Sequence, residues 1–269
     1  MDFRGGSAEA VAALTDELVG QTGSGEAASA LADSLFTVSR SLRSEPALRR
    51  FVTDVSVPTE AKQGIVREVF SGKVDDGALT VIASAVGRRW TSSRDLPDAL
   101  EHLSEVATVR STGQDVERLS DELFSFGQTV QENPTLRDAL SDPARSVDDK
   151  AALVDSLLAG KALPATVTLV KQSLAGTYRT VSAALAEYQK VAAEVVSEGV
   201  ATVRVAKPLT DAEITRLGAA LQRAYGRAIH LNQLVDPDVL GGIKVEIGDD
   251  VIDGTIASRL DDARRTLAG

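Results

Sequence analysis

The sequence contains no cysteine, and only two of its 269 residues are histidines. Without cysteine the chain forms neither disulfides nor thiolate metal sites, which fits a cytoplasmic address. His102 and His230 leave little material for a Ser/His/Asp catalytic set, and we interpret both as surface or boundary residues. These absences argue against a catalytic triad and against thiolate-bound zinc.

Long apolar runs and positive charge are also scarce. No run of 18 or more apolar residues occurs, so no helix is predicted to cross a bilayer. The opening segment has no basic stretch followed by an apolar core, so we expect no export signal. A formal net charge of −10 argues against nucleic acid or anionic lipid as the main partner, because both need a cationic surface. A protein partner with basic patches remains open.

What the sequence does contain is an internal repeat. Two segments that begin at Leu31 and Leu119 match at a constant offset of 88 residues. At this offset Trp90 meets Tyr178, and we interpret these two residues as core or groove aromatics. The aligned pairs also include Leu35/Leu123, Phe36/Phe124, Pro46/Pro134, Lys62/Lys150, Gly72/Gly160 and, after a three-residue deletion, Leu100/Leu185 and Val106/Val191. The sequence therefore predicts a duplicated domain.

Apolar residues at helical spacing predict that each copy is a helical bundle. Pro46 and Pro134 interrupt the two copies at the same place, since proline opens a helical turn but does not continue one. Gly72 and Gly160 follow predicted helix ends, where a left-handed cap favours glycine. We predict a first bundle over 1–110 and a second over 95–197, so that the second shares or borrows the helix at about 95–110.

At Gly199 the pattern changes to strand alternation, followed by a capping box at Thr210 to Glu213 and a helical stripe. Two further strands and a closing helix are predicted after it, which gives a small β-α-β-β-α domain over 198–269. The predicted fold class is α+β and mainly helical, with two tandem helical bundles followed by this small domain.

Four acids near the end of the chain, Glu246, Asp249, Asp250 and Asp253, raise the question of a metal site. Glu246 fits the outward position of a strand, and Asp249-Asp250 fits a turn. We therefore predict no metal site, no cofactor and no catalytic residue, and an enzyme that uses these acids with a divalent metal is the weaker alternative. The glycines of this region are interpreted as a fold signature: Gly241, Gly242, Gly248 and Gly254.

Two segments carry a family resemblance: "NPTLRDALSDPARSVDDKAALVDSLL" in the second copy and "VDPDVLGGIKVEIGDDVIDGTIASRLDDARRTL" at the end of the chain. Together they resemble the delta subunit of F-type ATP synthase, whose mitochondrial counterpart is the oligomycin-sensitivity-conferring protein. The resemblance covers about 95–269. The first copy departs from the usual single bundle, so the chain resembles a long form with that bundle duplicated.

The resemblance implies a non-catalytic stator subunit at the cytoplasmic face of the plasma membrane, peripheral and held there through the complex. In the family, the helical bundle binds the amino-terminal helix of an alpha subunit, and the carboxy-terminal domain binds the end of the b subunit. By this analogy the alpha helix would lie between the first and last helices of the second copy, lined by Leu96, Leu100, Leu103, Leu185, Tyr188 and Val191.

Two questions stay open in the sequence. In the first copy Val11, Leu14 and Leu18 would face the same three leucines of the 95–110 helix, so both copies compete for it. The sequence does not decide which copy binds alpha, and no short motif fixes the residues that contact b. A free-standing adaptor made of tandem bundles is the alternative function.

Overall fold

The structure is a computed structural model that describes residues 3–21, 24–198, 200–226, 229–236, 239, 241–247 and 250–254. The chain divides into two compact units, Met1–Ala193 and Glu194–Gly269. The described part of the first is helical, and the second combines a sheet with a helix. The predicted α+β, mainly helical class is confirmed.

The first unit holds both copies of the repeat. The helices of the first copy are α1 (Gly6–Gln21), α2 (Glu26–Ser44), α3 (Pro46–Thr53), α4 (Thr59–Phe70), α5 (Asp76–Gly87) and α6 (Asp95–Ser111). After a 3-10 turn at Gly113–Asp115, the second copy continues with α7 (Val116–Glu132), α8 (Pro134–Ser141), α9 (Val147–Leu158), α10 (Pro164–Ser173) and α11 (Val181–Glu198). The helix α11 runs across the division between the two units.

The repeat is visible in the helix boundaries. The short helices α3 and α8 begin at Pro46 and Pro134, which are equivalent at the offset of 88 residues. Beyond the ends of α4 and α9, Gly72 and Gly160 have φ angles of 71° and 68°. This left-handed conformation is strained for residues with a Cβ atom, so the predicted glycine caps are confirmed.

The helix α6 is the centre of the first unit. It packs against α1, α2 and α5 of the first copy and against α7 and α10 of the second. Leu35 of α2 and Leu123 of α7, which are equivalent in the repeat, are both 0% exposed. One helix therefore contributes to the cores of both copies.

The second unit contains a four-stranded sheet. Its elements are β1 (Val200–Val205), α12 (Asp211–Tyr225), β2 (His230–Val235), β3 (Ile243–Ile247) and β4 (Asp250–Asp253). The strand order is β2-β1-β3-β4, with β2 parallel to β1 and the other neighbours antiparallel. The predicted capping box at Thr210 and Glu213 begins α12, and Leu221 of this helix packs into the core with Val203 and Val245.

The strand β4 was not predicted. Asp250, predicted to lie in a turn, is the first residue of β4 and pairs with Ile247. Gly254, one of the fold-signature glycines, donates its N–H to the carbonyl of Ile243 at 2.9 Å and so extends the pairing of β3 with β4. Gly248, Asp249 and the predicted closing helix lie outside the described residues.

Candidate functional site

The six side chains predicted to line a partner groove lie in the interior. Each is at most 2% exposed: Leu96, Leu100 and Leu103 in α6, and Leu185, Tyr188 and Val191 in α11. Val11, Leu14 and Leu18 of α1 are buried as well. None of these side chains is on the surface of the free chain, where a partner helix could contact it directly.

Polar residues of α6 are buried with these leucines. Glu101, Ser104 and Glu105 are 0% exposed, and Thr108 is 1% exposed. Ser104 accepts a hydrogen bond from Nε2 of Gln172 in α10 at 3.0 Å. Since a buried polar group without a partner costs free energy, this hydrogen bond favours the observed packing of α10 on α6.

The first polar contact site, called here the Glu101 junction, consists of Arg43, Asp98, Glu101 and Thr177. Arg43 of α2 forms ion pairs with the carboxylates of Glu101 and, at 2.9 Å, Asp98. Thr177, in the segment between α10 and α11, donates its N–H and its hydroxyl to Glu101 at 2.9 and 2.7 Å. A single buried carboxylate thus joins α2, α6 and the second copy.

The second site, called here the Glu105 cluster, consists of His102, Glu105, Tyr178 and Tyr188. The hydroxyl of Tyr178 donates to Oε1 of Glu105 at 2.9 Å, and Nδ1 of His102 lies 3.5 Å from Oε2. The rings of Tyr178 and Tyr188 meet edge to face with centroids 5.7 Å apart. Burial raises the pKa of Glu105, against the opposing effects of His102 and Tyr178.

The aromatic ring of Phe3 lies next to His102, with the two ring centroids 6.3 Å apart. His102 is 19% exposed, which agrees with its interpretation as a boundary residue. His230 lies in β2, and the interpretation of its side chain stays a prediction.

Two of the clefts in the described part of the first unit are open to solvent. One, of about 470 Å³, lies between the start of α1 and the segment after α5, and is lined by Gly6, Glu9, Ala10, Arg88, Arg89, Trp90 and Thr91. The other, of about 540 Å³, lies beside the Glu101 junction and is lined by Thr37, Arg40, Ser41, Arg43, Ser44 and Ala175. Exposed apolar side chains of this unit include Phe51 at 38%, Val55 at 72% and Phe124 at 54%.

Of the acids predicted near the end of the chain, Glu246 pairs with basic side chains, and Asp250 and Asp253 lie in β4. Glu246 faces Lys244 at 2.8 Å and Arg204 at 3.5 Å, and the hydrogen bond from Lys244 is the main reason that its pKa is lowered. Among the described residues, no group of three His, Asp or Glu side chains is placed to hold a metal ion. Gly241 and Gly242 precede β3 with φ angles of 139° and 87°, a conformation that favours glycine.

No described helix combines the length and the apolar character that a membrane span requires.

Sequence reasoning missed the buried acids of α6. The available signal was the spacing of Asp98, Glu101 and Glu105, which places acids on one side of a helix whose leucines already occupy another. Such a pattern is typical of a solvated helix face, and Glu101 and Glu105 are buried because distant segments pack on α6.

Comparison with known proteins identifies the family. The model of the ATP synthase delta (OSCP) subunit family matches residues 101–267. The "ATP synthase subunit delta" of a Nocardioides species is 59% identical over 268 residues, which cover 99% of this chain and 98% of that protein. The protein of the same name from Kineococcus radiotolerans is 45% identical over 87% of this chain and 86% of that protein. That from Streptomyces avermitilis is 41% identical over 100% of both chains. With a family match over more than half of its length and relatives that align almost from end to end, this chain belongs to the ATP synthase delta (OSCP) subunit family.

Proposed function

We propose that the chain is a non-catalytic subunit of the peripheral stalk of F-type ATP synthase. In this role it links the catalytic head to the b-subunit stalk, so that rotation stays coupled to ATP synthesis. The observation that carries the proposal is the family match over 101–267, which spans the second copy and the second unit. The location that follows is the cytoplasmic face of the plasma membrane, where the subunit is peripheral and held through the complex.

The division into two compact units supports one partner for each. The helical unit would bind the amino-terminal helix of an alpha subunit, because paired bundle helices offer a surface to a partner helix. The second unit would bind the carboxy-terminal end of the b subunit. The six interior residues of α6 and α11 would then act indirectly, by holding in place the helices that frame the alpha site.

Exposure favours the first copy as the site for alpha. Both α1 and α6 are the first helices of their copies, but most positions of α6 from Leu96 to Arg110 are buried. In α1 the side chains of Glu9, Ala12 and Asp16 are exposed, and the 470 Å³ cleft opens at the start of this helix. We therefore place the partner helix along the outer face of α1.

A titration with two partner peptides tests this proposal. Ala12→Arg puts a long charged side chain on the exposed face of α1, and we expect it to weaken binding of the alpha amino-terminal peptide at least about tenfold. Ser125→Arg, an equally exposed change on α7, is the control and should leave the affinity unchanged. Equal effects of the two variants would place alpha elsewhere.

Truncation separates the two partners. A fragment that ends at Ser197 keeps the helical unit and lacks the strands of the second unit. We expect it to bind the alpha peptide and to lose binding of the b subunit, because separate cores need few contacts across their boundary. Retained b binding, or lost alpha binding by a folded fragment, would reverse the assignment of the two ends.

A further inference from the structure

Glu105 is a carboxyl group in the interior, and only one of its two oxygens accepts a hydrogen bond from the described part of the chain. The whole residue is 0% exposed, and Oε1 accepts the hydrogen bond from Tyr178. Among the described residues Oε2 has no hydrogen-bond partner, and the same holds for Nδ1 of His102, 3.5 Å away. One proton between these two atoms would satisfy both of them.

The groups around Glu105 leave His102 as the nearby base. Glu101, one helical turn earlier, adds negative charge and is itself paired with Arg43 of α2. Burial raises the pKa values of Tyr178 and Tyr188, so both hydroxyls stay neutral, and Glu187 of α11 raises that of Tyr178 further. Of the described groups that face Glu105, His102 is therefore the one whose ring nitrogen can accept a hydrogen bond from a protonated Oε2.

We propose that the Glu105 cluster holds one proton, shared by Glu105 and His102, and that loss of this proton as the pH rises loosens α11 from α6. Tyr178 lies just before α11, and Tyr188 lies within it. Tyr178 donates its hydroxyl to Glu105, and its ring packs against the ring of Tyr188. The helix that loosens also leads directly into β1 of the second unit.

The direction follows from charge. With the proton present, the pair is neutral, as a carboxylic acid whose proton lies between Oε2 of Glu105 and Nδ1 of a neutral imidazole. Without it, a carboxylate remains in the interior beside Glu101 with no positive partner of its own. Since burial raises the pKa of Glu105 in the folded chain, its stabilising contribution is complete below the unfolded value and is lost as the pH rises through the folded one.

Glu105→Gln tests the proposal in the full chain. The amide keeps an acceptor for Tyr178, can donate to Nδ1 of His102, and carries no titratable proton. Urea unfolding is followed from about pH 5 to about pH 9. Over this pH range we expect the unfolding equilibrium constant of the parent, divided by that of the variant, to rise. The rise should be about tenfold for each unit by which folding raises the pKa of Glu105. Glu117→Gln, at an exposed position of α7, should keep the parent profile.

A second measurement covers the case in which the variant fails to fold. Infrared difference spectra of the parent chain, taken between the same limits of pH, report protonated carboxyl groups directly. The protection factors of the α11 amides in hydrogen exchange report how firmly α11 is attached to α6. We expect the carboxyl band to disappear and the protection factors of the α11 amides to fall over the same pH interval, above the ordinary pKa of glutamate. Identical pH profiles for parent and Glu105→Gln, or α11 exchange that is independent of the carboxyl band, would overturn the proposal. Because the test uses the chain alone, its outcome is separate from that of the partner titrations.

Discussion

The two helical copies share their helix boundaries but differ in the contacts of equivalent residues. Trp90 of the first copy donates its indole N–H to the carbonyl of Ala85 at 2.9 Å, within its own copy. Tyr178, the equivalent residue of the second copy, donates instead to Glu105 of α6. The difference shows that the duplicated pattern preserves helices, whereas polar contacts depend on which helix lies opposite.

Arg88 and Gly176 make the same point. They are equivalent at the offset of 88 residues, and Arg88 forms an ion pair with Glu17 of α1. In the second copy the carboxylate of Glu101 occupies the space beside Gly176, so that a side chain there has no room. The shared helix α6 brings an acid to a place where α1 leaves space for an arginine.

The largest effect that distinguishes the copies is expected at Arg43. Arg43→Ala removes the positive partner of Glu101, which is 0% exposed, and should cost about 3 kcal/mol of unfolding free energy in urea titrations. Gln131→Ala, at the equivalent exposed position of the second copy, is the matched control and should change the free energy by less than about 0.5 kcal/mol. Similar losses at both positions would show that the buried pair contributes nothing particular to the first copy.

A smaller loss is expected from Gly176→Ala. Its Cβ would overlap Oε1 of Glu101 and approach the carbonyl of Gln172 to 3.1 Å, so the cost should be about 2 kcal/mol. Gly64→Ala serves as the control, because no atom lies within 4 Å of the added Cβ in α4. We expect this control to stabilise the chain by up to about 1 kcal/mol. If Gly176→Ala unfolded at the same temperature as the control, the side chain of Glu101 would move aside at no cost.

The phenylalanines of α2 and α7 test the difference in burial. Phe36 is half-buried, whereas its equivalent, Phe124, is 54% exposed. Phe36→Ala should cost about 1 kcal/mol, and Phe124→Ala less than about 0.5 kcal/mol, since less apolar surface returns to water. Thermal unfolding of the two variants side by side measures this, and a larger loss at Phe124 would show that it packs more tightly than its exposure indicates.

The smallest expected effects concern helix caps. Asn133 caps α8 by accepting the N–H of Leu136 at 3.3 Å, whereas Glu45 at the equivalent position makes no such bond, although the two backbones are similar. Asn133→Ala should therefore cost about 0.5 to 1 kcal/mol, and Glu45→Asn should add about as much stability as this loss. Calorimetry resolves both changes. If Glu45→Asn gave no gain, the cap would depend on more than the backbone angles.

The sequence was sufficient for the helical repeat because each prediction rested on local chemistry. Proline at the start of α3 and α8 and glycine after α4 and α9 act within a few residues, and the structure confirms them. The buried acids of α6 depend on packing between segments that are distant in sequence: Glu101 contacts Arg43 and Thr177. Periodicity assigns such acids to solvent, and no local signal corrects it.

The strand β4 was missed for a related reason. Its four residues begin and end with Asp, and short acids next to glycine predict a turn. What makes them a strand is the neighbouring β3, whose residues from Lys244 to Ile247 pair with them. An edge strand this short is defined by its partner, and its own composition carries little information.

The central position of α6 also bears on how such a long chain can change during evolution. Deleting residues 1–94 would remove α1, α2 and α5 from α6 and expose apolar surface that this helix buries in the full chain. The first copy therefore cannot be lost in one step without cost, because α6, the first helix of the second copy, is buried by helices of both copies.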